Sequence, residues 1–134
     1  MKTYQPKAGE IKREWHEVDA SSDTLGRIAT QAAMFLMGKN KPNYSAHMDS
    51  GDFVVVINAD KVRVTGKKEE QKLYRSHSGY PGGFKEINYS NLQKKHPGEV
   101  IKKAIFGMLP DNRLRDDRMA RLRIVEGSEH IFIK

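Results

Sequence analysis

The chain has 134 residues, a formal net charge of +7 and no cysteine. The lack of cysteine excludes disulfides and thiolate metal sites, and no apolar run approaches the roughly 20 residues that cross a bilayer. The length fits one domain, residues 1–134. The sequence therefore predicts a cytoplasmic protein with one domain and no membrane partner.

The excess of positive charge lies in the second half of the chain. Residues 1–60 hold 7 Lys and Arg against 8 Asp and Glu, whereas residues 61–134 hold 17 against 9. Such an uneven distribution is typical of a protein that binds a polyanion. An ordinary basic surface without a nucleic-acid partner would give the same totals, so charge alone leaves both interpretations open.

The first half has the pattern of a β-α-β unit. Residues 15–20 alternate large apolar and polar side chains, as a strand does. Apolar residues then recur at helical spacing over residues 24–37, and Gly38 is a suitable end for this helix. Residues 53–57 form a continuous apolar run, which is typical of a strand covered on both faces in a parallel sheet.

Short elements are predicted in the middle of the chain. Residues 61–64 are a short extended piece, and Thr65 could cap a short helix that ends at Gln71. Residues 73–77 are a further candidate strand. Three glycines and a proline in residues 78–83 predict a loop, because these residues interrupt any regular element.

The last third predicts two helices and a closing strand. Pro97 suits the first turn of a helix with one apolar face, and Asn112 could cap a last helix that runs to about Arg121. Residues 122–125 are the candidate closing strand. The order of elements predicts an α/β fold, a three-layer α/β/α domain with a mostly parallel four-stranded sheet.

No constellation for catalysis or metal binding stands out in the sequence. The five histidines are scattered, and none has the i, i+4 spacing of a helical zinc pair. There is no Gly-x-Ser-x-Gly motif, and no glycine loop ends in the Gly-Lys-Ser/Thr of a Walker motif. Residues 24–27 open a helix after the first strand, where free N–H groups favour anions, but a single glycine there is a weak signal.

Three segments combine cations with aromatic side chains or flexible backbone: residues 39–47, 72–80 and 113–123. Lys and Arg neutralise phosphates, while Tyr and His can stack on unpaired bases. These segments favour an RNA-binding protein. Two other interpretations stay open, because the arginines of the third segment could pair with nearby acidic residues and the glycine loop could be a plain surface turn.

Several short stretches, in their order and spacing, are specific in combination and cover nearly the whole chain. They are residues 15–20, 24–30, 51–62, 65–66, 74, 77–79, 82–83, 104–110 and 129–130. With these residues the chain resembles the family of large-subunit ribosomal protein number thirteen. The resemblance implies a three-layer α/β/α domain that binds large-subunit rRNA, lies beside other large-subunit ribosomal proteins and acts early in subunit assembly. It also implies no catalysis, no cofactor and no small-molecule substrate. The ribosome would be cytoplasmic, with an organellar ribosome as the open alternative.

By position, the resemblance also implies a set of RNA-facing side chains. They are Lys39, Lys41, Tyr44, His47, Lys67, Lys68, Lys72, Arg75, His77, Tyr80, Arg113, Arg118 and Arg121. The chain departs from the family pattern at Phe106 and Asp111, where basic residues are common, and at Asp116 and Asp117, where small or basic residues are common. The first two segments, residues 39–47 and 72–80, are therefore stronger candidates for RNA contacts than residues 106–117.

A protein of another class stays open from the residues alone. A small nucleotide-dependent or RNA-processing enzyme could use the same α/β sheet, because a fold does not determine a function. That alternative requires a cleft in which titratable groups converge.

Overall fold

A computed structural model describes residues 2–133 and confirms the β-α-β unit at the start of the fold. Strand β1 is Trp15–Asp19, helix α1 is Leu25–Met37 and strand β2 is Phe53–Ile57. The two strands pair in parallel. Helix α1 ends at Gly38 as predicted, because this residue adopts a left-handed conformation (φ 78°) in which its N–H reaches the last turn of the helix.

The rest of the described chain adds three strands and four helices. They are α2 (Lys68–Gln71), β3 (Leu73–His77), β4 (Phe84–Asn88), α3 (Tyr89–Lys95), α4 (Pro97–Met108), α5 (Arg115–Ala120) and β5 (Leu122–Ile124). The helices of the last third and the closing strand are thus confirmed. Helix α5 begins later than predicted, since Asn112 accepts a hydrogen bond from the N–H of Leu114 within a preceding turn.

The main sheet has the order β1-β2-β5 and is parallel throughout. The prediction of four strands is wrong for the described residues. The extended piece at 61–64 contributes only one bridge, between Arg63 and Thr24, because a 3-10 turn at Ala59–Lys61 redirects the chain. Strand β3 pairs instead with β4 in a separate antiparallel hairpin. The α/β class and the parallel sheet are confirmed.

The core lies between one face of this sheet and the helices. Val54 and Val56 of β2 are fully buried, and they share the core with Ile28 and Leu36 of α1 and Ile101 of α4. Burial of each such aliphatic side chain stabilises the fold by roughly 1.5–3 kcal/mol. The apolar periodicity of α1 and α4 thus places both helices against the sheet.

The opposite face of the sheet is in contact with the carboxyl-terminal segment. Because side chains alternate along a strand, Trp15 and Glu17 of β1 share this face with Phe53 of β2. Nε2 of His130 lies 2.6 Å from a carboxylate oxygen of Glu17, and the ring of Phe132 stacks on Trp15. These contacts do not confirm a second helical layer, so the three-layer arrangement stays a prediction.

Two elements, β4 and α3, lie where the sequence predictions place none. Asn88 separates them, and its side chain accepts a hydrogen bond from the N–H of Asn91 as an N-cap. This cap is the one local signal that could have identified α3. Strand β4 has no clear alternation, since its first three side chains are all exposed and its pairing with β3 depends on backbone hydrogen bonds.

Two close approaches fix the base of the loop between α1 and β2. A Cβ added at Gly51 would lie 1.7 Å from the carbonyl oxygen of Leu36, and one added at Gly38 would lie 2.8 Å from that of Ser50. No side chain fits at either position. The two ends of the loop are therefore held directly against each other.

Candidate nucleic-acid interface

We call residues 39–52, between α1 and β2, the first loop, and three of its predicted side chains lie on the surface. Lys39 is exposed at the end of α1, and Tyr44 keeps 37% of its surface open to solvent. His47 is also exposed, and its Nδ1 lies 2.9 Å from the hydroxyl of Ser45. A cation, an aromatic ring and an imidazole are thus available to a partner along this loop.

Lys41, the fourth predicted residue of this loop, points inward. Its Nζ donates to the carbonyl oxygens of Lys12 (2.7 Å) and Ser50 (3.0 Å) and pairs with the carboxylate of Asp52 at 2.5 Å. Burial disfavours the charged form of Asp52, but hydrogen bonds from Lys41, from His16 and from a backbone N–H outweigh it and lower the pKa of this carboxyl. Lys41 therefore stabilises the loop itself.

Arg118 and Arg121 are buried as well, which corrects the expectation that both project towards RNA. Both face Asp49, and we call these three residues the arginine clasp. Arg121 forms a two-pronged pair with the Asp49 carboxylate, and one of its nitrogens also donates to the carbonyl oxygen of Leu36 at 2.9 Å. The Arg118 side chain is 1% exposed, and its Nε lies 3.8 Å from Asp49. One carboxylate thus lies beside two buried guanidinium groups, of which only that of Arg121 is hydrogen-bonded to it.

The turn of the hairpin β3–β4 carries Tyr80, a predicted residue that is largely exposed. Its end is a tight turn in which the N–H of Gly83 donates to the carbonyl oxygen of Tyr80 at 3.0 Å, with Pro81 and a left-handed Gly82 between them. This geometry is that of a type II turn. The Tyr80 side chain is 76% exposed, so it does not pack into the core.

Two further hairpin residues have partners within the hairpin. Arg75 pairs with Glu86 on the adjacent strand at 2.9 Å, although its side chain is 64% exposed. Nδ1 of His77 accepts a hydrogen bond from the N–H of Gly79, which fixes the direction of the ring. Both side chains remain open to solvent and could contact a partner.

The remaining predicted cations lie at two other places on the surface. Lys67 and Lys68 are exposed at the start of α2, and Lys72 is partly buried with its Nζ 5.6 Å from the ring centre of Tyr74. Arg113 is exposed in the turn before α5. The cations around α2 are therefore near the hairpin, whereas Arg113 belongs to a different segment.

One cation in this region was missed by the sequence predictions. Nζ of Lys103, on α4, lies 5.4 Å from the ring centre of Tyr74, the ring that Lys72 also approaches. Lys103 is distant in sequence from both, and the pattern of α4 indicates only that it points away from the apolar face. No local signal in the sequence identifies it.

The departures from the family pattern have local partners in this chain. The guanidinium of Arg115 lies 4.2 Å from the ring centre of Phe106 and also pairs with Asp111. Asp116 and Asp117 lie in the first turn of α5, where negative charge is favoured by the helix dipole. These four positions therefore contribute to local structure around α5.

Two hairpin substitutions separate base stacking from phosphate binding. We expect Tyr80→Ala to weaken rRNA binding with little change in its salt dependence, since stacking on an aromatic ring is worth about 1–3 kcal/mol per base. Arg75→Ala should lower the slope of log affinity against log salt by about one unit. Filter binding at several salt concentrations measures both effects, and thermal melts serve as the control. Unchanged affinity in Tyr80→Ala, or a melting temperature many degrees lower, would contradict a recognition role for this turn.

Within residues 2–133, no group of three or more His, Asp or Glu side chains is placed to hold a metal ion. No helix in that range is long and apolar enough to span a membrane.

Comparison with known proteins identifies the family. Residues 13–131 match the family described as ribosomal protein L13. Three similar proteins, each named large ribosomal subunit protein uL13, come from Roseiflexus sp. (strain RS-1), Clostridioides difficile (strain 630) and Alcanivorax borkumensis. They are 51%, 52% and 53% identical to this chain over 130 residues, which cover 97% of it and 89%, 91% and 92% of the respective relatives. The chain therefore belongs to the ribosomal protein L13 family.

Proposed function

We propose that this chain is a structural constituent of the large ribosomal subunit, where it binds large-subunit rRNA and lies beside other ribosomal proteins of that subunit. The carrying observation is identity of about half of all residues, over nearly the whole chain, with proteins named as large-subunit components. The function involves no catalysis and no cofactor. We further propose an early role in subunit assembly, within a cytoplasmic ribosome.

The proposed rRNA interface comprises the predicted side chains that are open to solvent, together with the partly buried Lys72. They are Lys39, Tyr44, His47, Lys67, Lys68, Lys72, Arg75, His77, Tyr80 and Arg113. Lys41, Arg118 and Arg121 are left out, because Lys41 and Arg121 are paired within the fold and the Arg118 side chain is buried. Cations that neutralise phosphates and rings that stack on unpaired bases together suit folded RNA.

We also propose that residues 1–134 act as one domain. One hydrophobic cluster includes residues of the parallel sheet, of α1 and of α4, and Tyr74 and Ile87 of the hairpin pack against it. The hairpin and the first loop are therefore attached to the same core. The three-layer arrangement implied by the family belongs to this proposal.

Sedimentation of the native protein in a cell extract tests the proposed function. We expect the chain to travel with large subunits at moderate salt, because a structural component stays bound to its particle. Washing the particles at high salt should release it, since phosphate contacts weaken as salt rises. A chain that remains in the soluble fraction while large subunits sediment would contradict the proposal and favour the small RNA-processing or nucleotide-dependent enzyme.

A further inference from the structure

A cavity of about 380 Å³ lies where the start of α1, the short helix α2 and the end of α4 meet. We call it the α1–α4 cavity. Its polar wall carries the three lysines Lys68, Lys72 and Lys103. In the part of the chain that the structure describes, none of these ammonium groups lies within 4 Å of a carboxylate. The cavity therefore presents a concentrated positive charge.

The start of α1 adds backbone donors to the same wall. Thr24 makes no side-chain capping hydrogen bond, and the first intrahelical donor is the N–H of Ile28, which reaches the carbonyl oxygen of Thr24 at 3.1 Å. The N–H of Gly26, which lines the cavity, thus has no partner within the helix, and the same holds for the N–H of Arg27, the next residue along α1. Free N–H groups at the positive end of a helix favour an anion.

At two glycines in the cavity wall, no contact within the protein explains why the residue has no side chain. Gly26 is the second residue of α1 and Gly107 the second-last residue of α4; neither has a positive φ, and a Cβ added at either would meet nothing within 4 Å. Gly51, by contrast, is required by a carbonyl oxygen that would lie 1.7 Å from its Cβ. Glycine is the least favourable residue in a helix apart from proline. Close approach of a ligand to the backbone explains why both positions lack a side chain.

We propose that the α1–α4 cavity binds a backbone phosphate of the large-subunit rRNA. The phosphate lies against Gly26 and Gly107 and is held by the three lysines and by the N–H of Gly26. The apolar part of the wall, which includes Leu25 and Met108, contacts the attached sugar. The cavity volume is near the lower end of the roughly 300–1,000 Å³ found for ligand pockets, so there is room for more than the phosphate alone. This inference rests on the proposed function and assigns it a specific phosphate site.

A double-mutant cycle on the full chain tests the site with intact large-subunit rRNA. Gly107→Ala fills the space with a methyl group, and Lys103→Gln removes a charge. We expect each substitution to weaken binding about tenfold, as the loss of one charge-assisted contact typically does. The double variant should be little weaker than either single variant, because both act on the same phosphate. Thermal melts should show Gly107→Ala to be at least as stable as the wild type, since alanine favours a helix.

The controls are Gly127→Ala and Lys102→Gln. Gly127 lies outside the cavity and also has nothing within 4 Å of an added Cβ, while Lys102 is exposed on α4 but does not line the cavity. Both controls should bind rRNA nearly as well as the wild type. Normal binding by Gly107→Ala and Lys103→Gln would overturn the inference. The proposed function would still stand in that case, provided that the wild type binds rRNA.

Inorganic phosphate provides a second arm that does not depend on RNA. Added phosphate should shift the amide NMR signals of Gly26 and Arg27 in the wild type, and the shift should be much smaller in Lys103→Gln. An absence of shifts in the wild type would contradict an anion site. If the amide shifts saturate as phosphate is added, while the cavity variants bind rRNA as well as the wild type, the assignment to RNA would be overturned and the cavity would be a site for a free anion.

Discussion

Raising the salt concentration from 50 to 200 mM should weaken the binding of this chain to large-subunit rRNA by roughly 10³- to 10⁵-fold, if it neutralises about 6–10 phosphates. Each phosphate contact releases condensed counterions, so affinity falls steeply as salt rises. In the proposed interface, exposed cations on α2, on the hairpin and at the end of α1 would make such contacts. Filter binding across this salt range measures the effect.

Two variants show which charges determine the salt dependence. Lys39→Gln should lower the slope of log affinity against log salt by about one unit, because its charge is exposed. Lys102→Gln, which changes an exposed cation outside the proposed interface, should leave the slope nearly unchanged. A response of the wild type that is flat between 50 and 200 mM would contradict a phosphate-based interface.

Asp49→Ala should lower the free energy of unfolding by about 3–5 kcal/mol, the usual result of removing one partner from a buried ion pair. Asp49 is the carboxylate of the arginine clasp, and both arginines that face it have less than a tenth of their side-chain surface open to solvent. Without Asp49 their charges would remain in the interior with no carboxylate beside them. Urea unfolding followed by circular dichroism measures the change.

Asp23→Ala is the matched control for this substitution. Asp23 also faces an arginine, Arg27, but at 3.5 Å on the surface with its side chain 43% exposed. Its removal should change stability by no more than about 0.5 kcal/mol. Asp49→Ala combined with Arg118→Met should recover part of the loss, because one buried charge is then removed along with its partner. A loss below about 1 kcal/mol in Asp49→Ala would contradict the role assigned to the clasp.

The β-α-β unit could be predicted because each of its elements carries its own pattern. The apolar run of β2, the helical spacing of α1 and the glycine at its end all agree. Strand β4 could not be predicted in the same way, because three of its five side chains face solvent. The prediction of four strands in the parallel sheet was wrong for a related reason. Only the strand pairing shows that the sheet has three strands and that β3 belongs to a separate hairpin.

The exposure of the candidate interface residues could be predicted only where their side chains have no distant partner. Arg118 and Arg121 look like exposed cations in the sequence. In the fold both are buried and face Asp49, which lies about 70 residues earlier in the chain. Lys41 is near Asp52 in sequence, but no pattern indicates that their side chains meet. The α1–α4 cavity is likewise formed by three helices that are separate in sequence.

The close approach of the two ends of the first loop affects the entropy change when the loop binds RNA. Gly38 and Gly51 let the two chain ends approach closely, and Arg121 ties Leu36 to the same point. A loop closed in this way loses conformational freedom when the protein folds, before any partner arrives. Because preorganised groups give up less freedom on association, Lys39, Tyr44 and His47 can contact RNA with a smaller entropic penalty than the same residues on an open loop.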